Sequence, residues 1–323
     1  MKVLARFLPY RFRAKWHQYR LNCALSDLDR SPPVVAANNS SAKVELHMLV
    51  CRRDKRLAVS AIKSLYRFTE SDIGVVLTND GSLSDSDREW ISSHIQNAEW
   101  LPRCVCDDRL NELNEYPRLL SLYKSGYHPL CKFVHPLLCA KSPRVIVLDP
   151  DTAFFNRPNE LLAWIANEDS PALFLHDNQD EPRQVPPETC SAFESLRQAV
   201  ASDGTPWNMA YYFFNSGLLA YRRSDMEISK GEQYLNWLVS SPREIKVGKS
   251  ALWFGDWTPE QTIYQMLFAM LKQRARPLGI EYRIGAAQGC VFNHFLWLHL
   301  VQPDSLRLLS RLVEDLVSSR VRI

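Results

Sequence analysis

The chain has 323 residues, 46% of them hydrophobic and 23% charged, which excludes compositional disorder and leaves enough apolar material for a large core. Its net charge of +3, the difference between 39 basic and 36 acidic side chains, excludes an extended nucleic-acid-binding surface. No run of about 18 apolar residues occurs, so a membrane-spanning helix is not expected.

Residues 1–22 carry Lys2, Arg6, Arg11, Arg13, Lys15 and Arg20 with no acid, interleaved with Leu4, Phe7, Leu8, Tyr10, Phe12 and Trp16. They lack the continuous apolar stretch of a signal peptide. The segment reads either as a solvated arm that packs a few aromatics on the domain or as a peripheral contact with an anionic membrane. Residues 26–42 are rich in Ser, Asn, Asp and Pro and read as a linker, so 1–42 is assigned as arm plus linker and 43–323 as one α/β domain.

Within that domain Val44–Val50 predicts a strand, and Leu57, Ala61, Leu65 and Phe68 recur at helical spacing over Lys55–Phe68. Ile73–Leu77 predicts a second strand that ends in the turn-rich Thr78–Ser82. Ser84 and Asp87 then resemble a capping box for a helix carrying Trp90, Ile91 and Ile95. Arg118–Ala140 has a helical pattern interrupted at Pro129 and Pro136, and it leads to Val145-Ile146-Val147-Leu148, apolar and mostly β-branched, as a strand buried on both faces should be.

Pro171–His176 and Asn215–Tyr221 predict further strands, Met226–Val239 and Pro259–Gln273 helices, and Asp304–Val317 an amphipathic terminal helix. Alternating strands and helices imply a mainly parallel sheet with ligands outside the carboxyl ends of its strands. The division expected is a nucleotide-binding part over 43–155, a donor and acceptor part over 156–303, and a C-terminal helix over 304–318. Eight cysteines stand at irregular positions, and the closest pair, Cys104 and Cys106, matches neither a zinc knuckle nor a redox motif. Reduced thiols and a cytoplasmic location are the expectation.

Asp149 and Asp151 follow the buried strand directly, with Pro150 stiffening the turn between them. Two neighbouring carboxylates repel unless one keeps its proton or a cation lies between them. Magnesium or manganese suits carboxylate oxygens and commonly bridges them to a diphosphate. An Asp-x-Asp can equally be a solvated acidic turn; its place after a buried strand is what points to a site.

Val145-Ile146-Val147-Leu148-Asp149-Pro150-Asp151 resembles the strand and DxD motif of family 8-like nucleotide-sugar glycosyltransferases of the GT-A fold. Lys132, Phe214-Asn215-Ser216-Gly217-Leu218-Leu219, Glu260-Gln261 and His294 follow in the same order as in that family. The resemblance implies a Rossmann-like, mainly parallel mixed sheet flanked by helices, a UDP-sugar donor, an acceptor hydroxyl on a glycan, lipid-linked group or protein, and retention of anomeric configuration. It further implies Mn2+ or Mg2+ at Asp149, Asp151 and His294, with His299 as a competing ligand because the residues after His294 depart from the family pattern.

Asn215, Ser216 and Gly217 would line the donor-sugar pocket, Lys132 (less plausibly Arg118) would face phosphate or sugar oxygens, and Glu260, Gln261 and Asp256 would lie near the reacting carbon. Cys51, Arg52 and Asp80 stand in the exit loops of the first two strands, where base and ribose would bind. Each has a bland alternative: strand-entry turn for Asn215–Gly217, helix terminus for Thr258-Pro259-Glu260, tight turn for Asp80-Gly81-Ser82. Two further readings remain at this point, a catalytically silent scaffold of the same fold and a sugar nucleotidyltransferase. Against the second, Val50-Cys51-Arg52-Arg53-Asp54 lacks the glycine-rich loop that grips a triphosphate.

Overall fold

The computed structural model describes residues 10–69, 73–101, 109, 114–176, 187–201, 214–241, 258–296 and 302–318. Among these the strands are β1 (Val34–Val35), β2 (Val44–Val50), β3 (Ile73–Asn79), β4 (Ile95–Gln96), β5 (Glu99–Leu101), β6 (Arg144–Leu148), β7 (Thr152–Phe154), β8 (Ala172–His176), β9 (Phe214–Arg222), β10 (Ala275–Pro277), β11 (Tyr282–Ile284) and β12 (Phe292–His294). The helices are α1 (Tyr10–Ala24), α2 (Lys55–Tyr66), α3 (Asp85–His94), α4 (Pro117–Lys124), α5 (Cys131–Cys139), α6 (Asn159–Ala166), α7 (Pro187–Val200), α8 (Ile228–Ser240), α9 (Pro259–Met270) and α10 (Pro303–Ser318).

A seven-stranded sheet in the order β10-β8-β9-β6-β2-β3-β5 forms the centre. Only β9 runs against its neighbours β6 and β8; the other strands point the same way, so the fold is a mixed α/β architecture with a mainly parallel central sheet and flanking helices. β6 is buried along its whole length, as its β-branched run requires. Ile146 and Leu148 face one apolar cluster with α2, α6 and α10, whereas Val145 and Val147 face another with α5, α8 and α9. α10 buries Leu306, Leu309, Leu312, Val313 and Leu316 along one stripe, and Ser84 with Asp87 closes the capping box of α3.

Two features place residues at the carboxyl edge. The reversed β9 begins where the parallel strands end, so that Leu218 pairs with Leu148 and the residues before it extend beyond β6. Its ladder with β8 is irregular between the Phe174–Leu219 and Leu175–Asn215 pairs, which leaves Ser216, Gly217 and Leu218 without partners on β8. A small second sheet, β11-β12-β7, then returns the chain over the β6 exit, with His294 opposite Thr152.

The segment expected to be a linker is packed into the domain. Ser26–Arg30 forms a 3-10 turn, β1 pairs with β4, and Leu25, Leu28 and Ala36 are core residues. Lys63, on the face of α2 that sequence periodicity leaves to solvent, is buried and donates to Ser31 Oγ (2.7 Å), Ser31 O (3.2 Å) and Pro32 O (2.7 Å). These bonds exchange solvent for backbone carbonyls, which is why a polar stretch can be held so tightly.

Candidate active site

The Asp149 amide donates to Gly217 O at 2.9 Å, which ties the β6 exit to the bulged part of β9. Thr152 Oγ1 donates to Asp149 O at 2.7 Å and closes the Asp149-Pro150-Asp151 turn. Across the turn, the Phe295 amide donates to Asp151 O at 2.8 Å and brings the preceding His294 over both carboxylates. His294 Nε2 lies 3.3 Å from Asp151 Oδ1 and 3.8 Å from Asp149 Oδ2. One ligand atom from each of Asp149, Asp151 and His294 falls within 4.8 Å of the others. Two carboxylate oxygens and an imidazole nitrogen converging at this spacing fit Mn2+ or Mg2+.

Lys132 reaches the same point from α5. Its Nζ is 2.6 Å from Asp149 Oδ1 and 3.2 Å from Ser216 Oγ, while Ser216 Oγ is 3.5 Å from Gln261 Oε1. Gln261 Nε2 in turn donates to Phe214 O at 3.2 Å, so α9 is fastened to the start of β9. Pro136 lies inside α5 and has no amide hydrogen, so the Lys132 carbonyl four residues earlier loses its ladder partner. The Tyr264 hydroxyl of α9 donates to that carbonyl at 2.7 Å.

Charges balance locally. Burial pushes the Lys132 ammonium down, but the carboxylates of Asp149, Glu260 and Asp151 outweigh it and hold its pKa above the usual lysine value. Burial likewise lowers His294, yet Asp151 and Asp149 raise it overall. Asp151 sits below its ordinary value because His294 and Lys132 overcome its burial. Two carboxylates thus face an ammonium and an imidazole, and charge is compensated within the cluster.

Glu260, in the first turn of α9, is buried, and its Oε2 accepts from the Tyr127 hydroxyl at 2.9 Å. Burial and that carboxylate push the Tyr127 phenol far upward, so it stays a donor. Thr258 occupies the N-cap position with Pro259 next, but its side chain makes no cap bond.

At the neighbouring β2 and β3 exits, the Arg52 amide donates to Ser82 Oγ (2.8 Å), and Asp80 Oδ1 accepts from the Ser82 hydroxyl (2.6 Å) and amide (2.9 Å). Gly81 has φ 98°, so this turn needs glycine. The Arg52 side chain turns to Asp87 at 3.3 Å. The Cys51 thiol, pushed up to about 11 by burial and then by Asp54, remains protonated and donates to Asp54 Oδ2 at 3.1 Å.

The structure therefore brings Lys132, Asp149, Asp151, Ser216, Gln261 and His294 together, with Asn215 and Gly217 beside His294 and Glu260 joined to Tyr127. Cys51, Arg52 and Asp80 form an adjoining loop cluster. Asp256 and His299 lie outside the described residues. Arg118 is directed to α8, where its side chain bonds Asn236, and is not part of the site. His47 is buried against Glu45 at 3.0 Å, a structural pair.

Sequence reasoning passed over Tyr127, Tyr264 and Arg53. The tyrosines carry no local signal, because their partners are distant in sequence: Tyr127, ahead of α5, meets Glu260 of α9, and Tyr264 of α9 meets Lys132 of α5. Arg53 stood beside Arg52 in the same exit loop; its guanidinium is held by Asp54 through two bonds of 2.9 Å, and its pKa is raised first by that pair and also by Asp151.

No protein-family model matches the sequence, and no curated protein is significantly similar to it. Among solved structures, the fold is similar to that of mouse xyloside xylosyltransferase 1 in its apo form, at a TM-score of 0.49 and 14% identity over 83% of this chain and 99% of that one. It is similar to the mannosyltransferase Ktr4p of S. cerevisiae, at 0.47 and 15% over 80% and 77%. A third similar structure is the galactosyltransferase LgtC in complex with donor and acceptor sugar analogues, at 0.45 and 12% over 85% and 97%.

Proposed function

We propose that this chain is a metal-dependent glycosyltransferase of the GT-A type that transfers a sugar from a nucleoside diphosphate, UDP by the motif resemblance, to an acceptor hydroxyl with retention of configuration. The observation that carries this reading is the convergence of Asp149, Asp151 and His294 at the exit of a buried central strand, with Lys132, Ser216 and Gln261 beside them. Random acidic turns do not collect an imidazole from a distant strand and a largely buried lysine.

In this reading Asp149, Asp151 and His294 hold Mn2+ or Mg2+, which when bound supplies Lewis-acid stabilisation of the departing diphosphate. Lys132, already charged and desolvated, donates to a phosphate or sugar oxygen from the position it holds between Asp149 and Ser216. The Ser216 hydroxyl and Gln261 amide orient sugar hydroxyls, and the buried Glu260, fixed by Tyr127, bounds the acceptor side. Arg53, Arg52, Cys51 and Asp80 line the nucleoside end.

The acceptor is a hydroxyl on a glycan, a lipid-linked group or a protein. Exposed Trp16 and Tyr19, stacked 5.7 Å apart on the basic α1, support a peripheral membrane contact, and the irregular spacing of the eight cysteines supports a cytoplasmic setting. Among the described residues no helix is long and apolar enough to cross a membrane.

The test is release of UDP from a panel of UDP-sugars with and without Mn2+, with product configuration read by NMR. Wild type is expected to turn over with Mn2+, and Asp151→Ala to lose about a thousandfold or more while its circular dichroism is unchanged. Absence of both turnover and Mn2+-dependent UDP binding in wild type would replace the enzyme with a silent scaffold.

A further inference from the structure

Main-chain bonds fix the position of His294 but not the state of its ring. β12 pairs with β7, the Gly285 amide donates to His294 O at 2.8 Å, and the next amide is held by Asp151. Rotation about the side-chain torsions and the choice of which nitrogen carries a proton are left open by these contacts. A histidine is a metal ligand only through a nitrogen with a lone pair, so both must be settled by something else.

Asn215 settles them. Its Oδ1 accepts from the Gly217 amide at 2.8 Å. A backbone N–H can only donate, so the atom facing it must be the amide oxygen, and the orientation of the Asn215 side chain is fixed without ambiguity. The same oxygen lies 3.0 Å from His294 Nδ1, which must therefore present its N–H. Nε2 is then the nitrogen turned toward Asp151 and Asp149. Asn215 is 4% exposed and His294 3%, so water does not compete for this bond.

Gly217 completes the arrangement by its lack of a side chain. A Cβ there would lie 2.3 Å from His294 Nδ1 and 2.9 Å from Asn215 Oδ1. The ring occupies the space that any larger residue would fill.

We propose that Asn215 is a positioning residue that acts through His294, holding the proton on Nδ1 and so presenting Nε2 as the third ligand beside Asp149 and Asp151. This rests on the metal-dependent reading given above. It gives the Asn-Ser-Gly segment a task other than sugar contact: with two donors already on Oδ1, only the Asn215 Nδ2 hydrogens are left to meet a donor substrate.

The experiment is Mn2+ titration by calorimetry of the full chain, for wild type, Asn215→Leu and Asn215→Asp. A second readout is the 15N spectrum of labelled histidine in the Mg2+-loaded protein. Asn215→Leu keeps the side-chain shape and removes the acceptor; its Mn2+ dissociation constant is expected to rise 10- to 100-fold, about the size of such outer-shell effects. Asn215→Asp keeps an oxygen in place and should stay within about threefold of wild type, a rescue that a purely packing role would not produce. The His294 resonances should show a protonated Nδ1 in wild type and Asn215→Asp. Gly217→Ala, melting cooperatively, should weaken Mn2+ as Asn215→Leu does, and covers the case in which Asn215→Leu fails to fold. Unchanged Mn2+ affinity in Asn215→Leu, or a wild-type ring protonated on Nε2, would overturn the inference alone. A wild type that binds no Mn2+ would overturn the metal-dependent reading and this inference together.

Discussion

A largely buried lysine and a fully buried one show how differently this chain uses the same side chain. Lys132 lies 2.6 Å from the Asp149 carboxylate, and opposite charges keep its pKa above the usual value in spite of burial. Lys63 lies against neutral acceptors only, Ser31, Pro32 and His94 Nδ1 at 3.0 Å, and burial pushes it down to about 8. The first is a permanent charge held ready beside carboxylates and is suited to meet phosphate. The second is a latch that fastens the N-terminal segment to α2 and α3 and carries an unrelieved desolvation cost.

The comparison breaks most visibly in turnover. Lys132→Met is expected to reduce glycosyl transfer on the order of a hundredfold while Mn2+ affinity is undiminished, since the ammonium and the ion share Asp149. Steady-state rates with calorimetric Mn2+ titration check both halves, and weaker Mn2+ binding would show that Lys132 only supports the fold of the site.

The latch should show itself in the pH dependence of stability. His94 is pushed down to about 4, first by burial and then by Lys63, whereas the unfolded residue titrates near its usual 6.5. Between those values the unfolded chain binds more protons, so stability is present above pH 6.5 and is lost as pH falls toward 4, by roughly 1–3 kcal/mol. Lys63 has the same sign in its own window: between about 8 and 10.5 the unfolded chain again holds more protons, so its burial cost is relieved as pH rises. Denaturant unfolding from pH 4.5 to 10, with His94→Phe flattening the acid limb, measures this; an acid limb unchanged in that variant would assign the loss to other groups.

The smallest effect is the sharpest contrast. Lys63→Met should leave turnover within about twofold and change stability at pH 7 by only about 1 kcal/mol, because the lost bonds are offset by removal of a buried charge. A large fall in turnover would link the N-terminal segment to the active site.

These two lysines also mark what the sequence could reveal. The β6 run of branched residues, the Ser84–Asp87 capping box and the α10 stripe are written in local pattern, and the observed elements follow them closely. Asp149 and Asp151 stood out because they directly follow a buried strand, where α/β sheets place ligand sites, and the structure sets them beside His294. The reversed direction of β9, its irregular ladder and the β7–β12 pairing that brings in His294 depend on contacts between distant residues, and no periodicity encodes them. Lys63 was hidden for the same reason: a lysine on a helix looks solvated until another segment covers it. Pro136 misled in the opposite sense, since it sits inside α5 without ending it.

That proline has a mechanical meaning. By removing one rung of α5 and leaving its carbonyl to Tyr264, it rivets the lysine-bearing helix to α9, which carries Glu260 and Gln261. In the proposed reading, the group that would meet the phosphate and those that would face the sugar and the acceptor therefore sit on a common chassis. Damage to either helix would be felt by both, and the costs of altering Lys132 and Gln261 together should fall short of their sum.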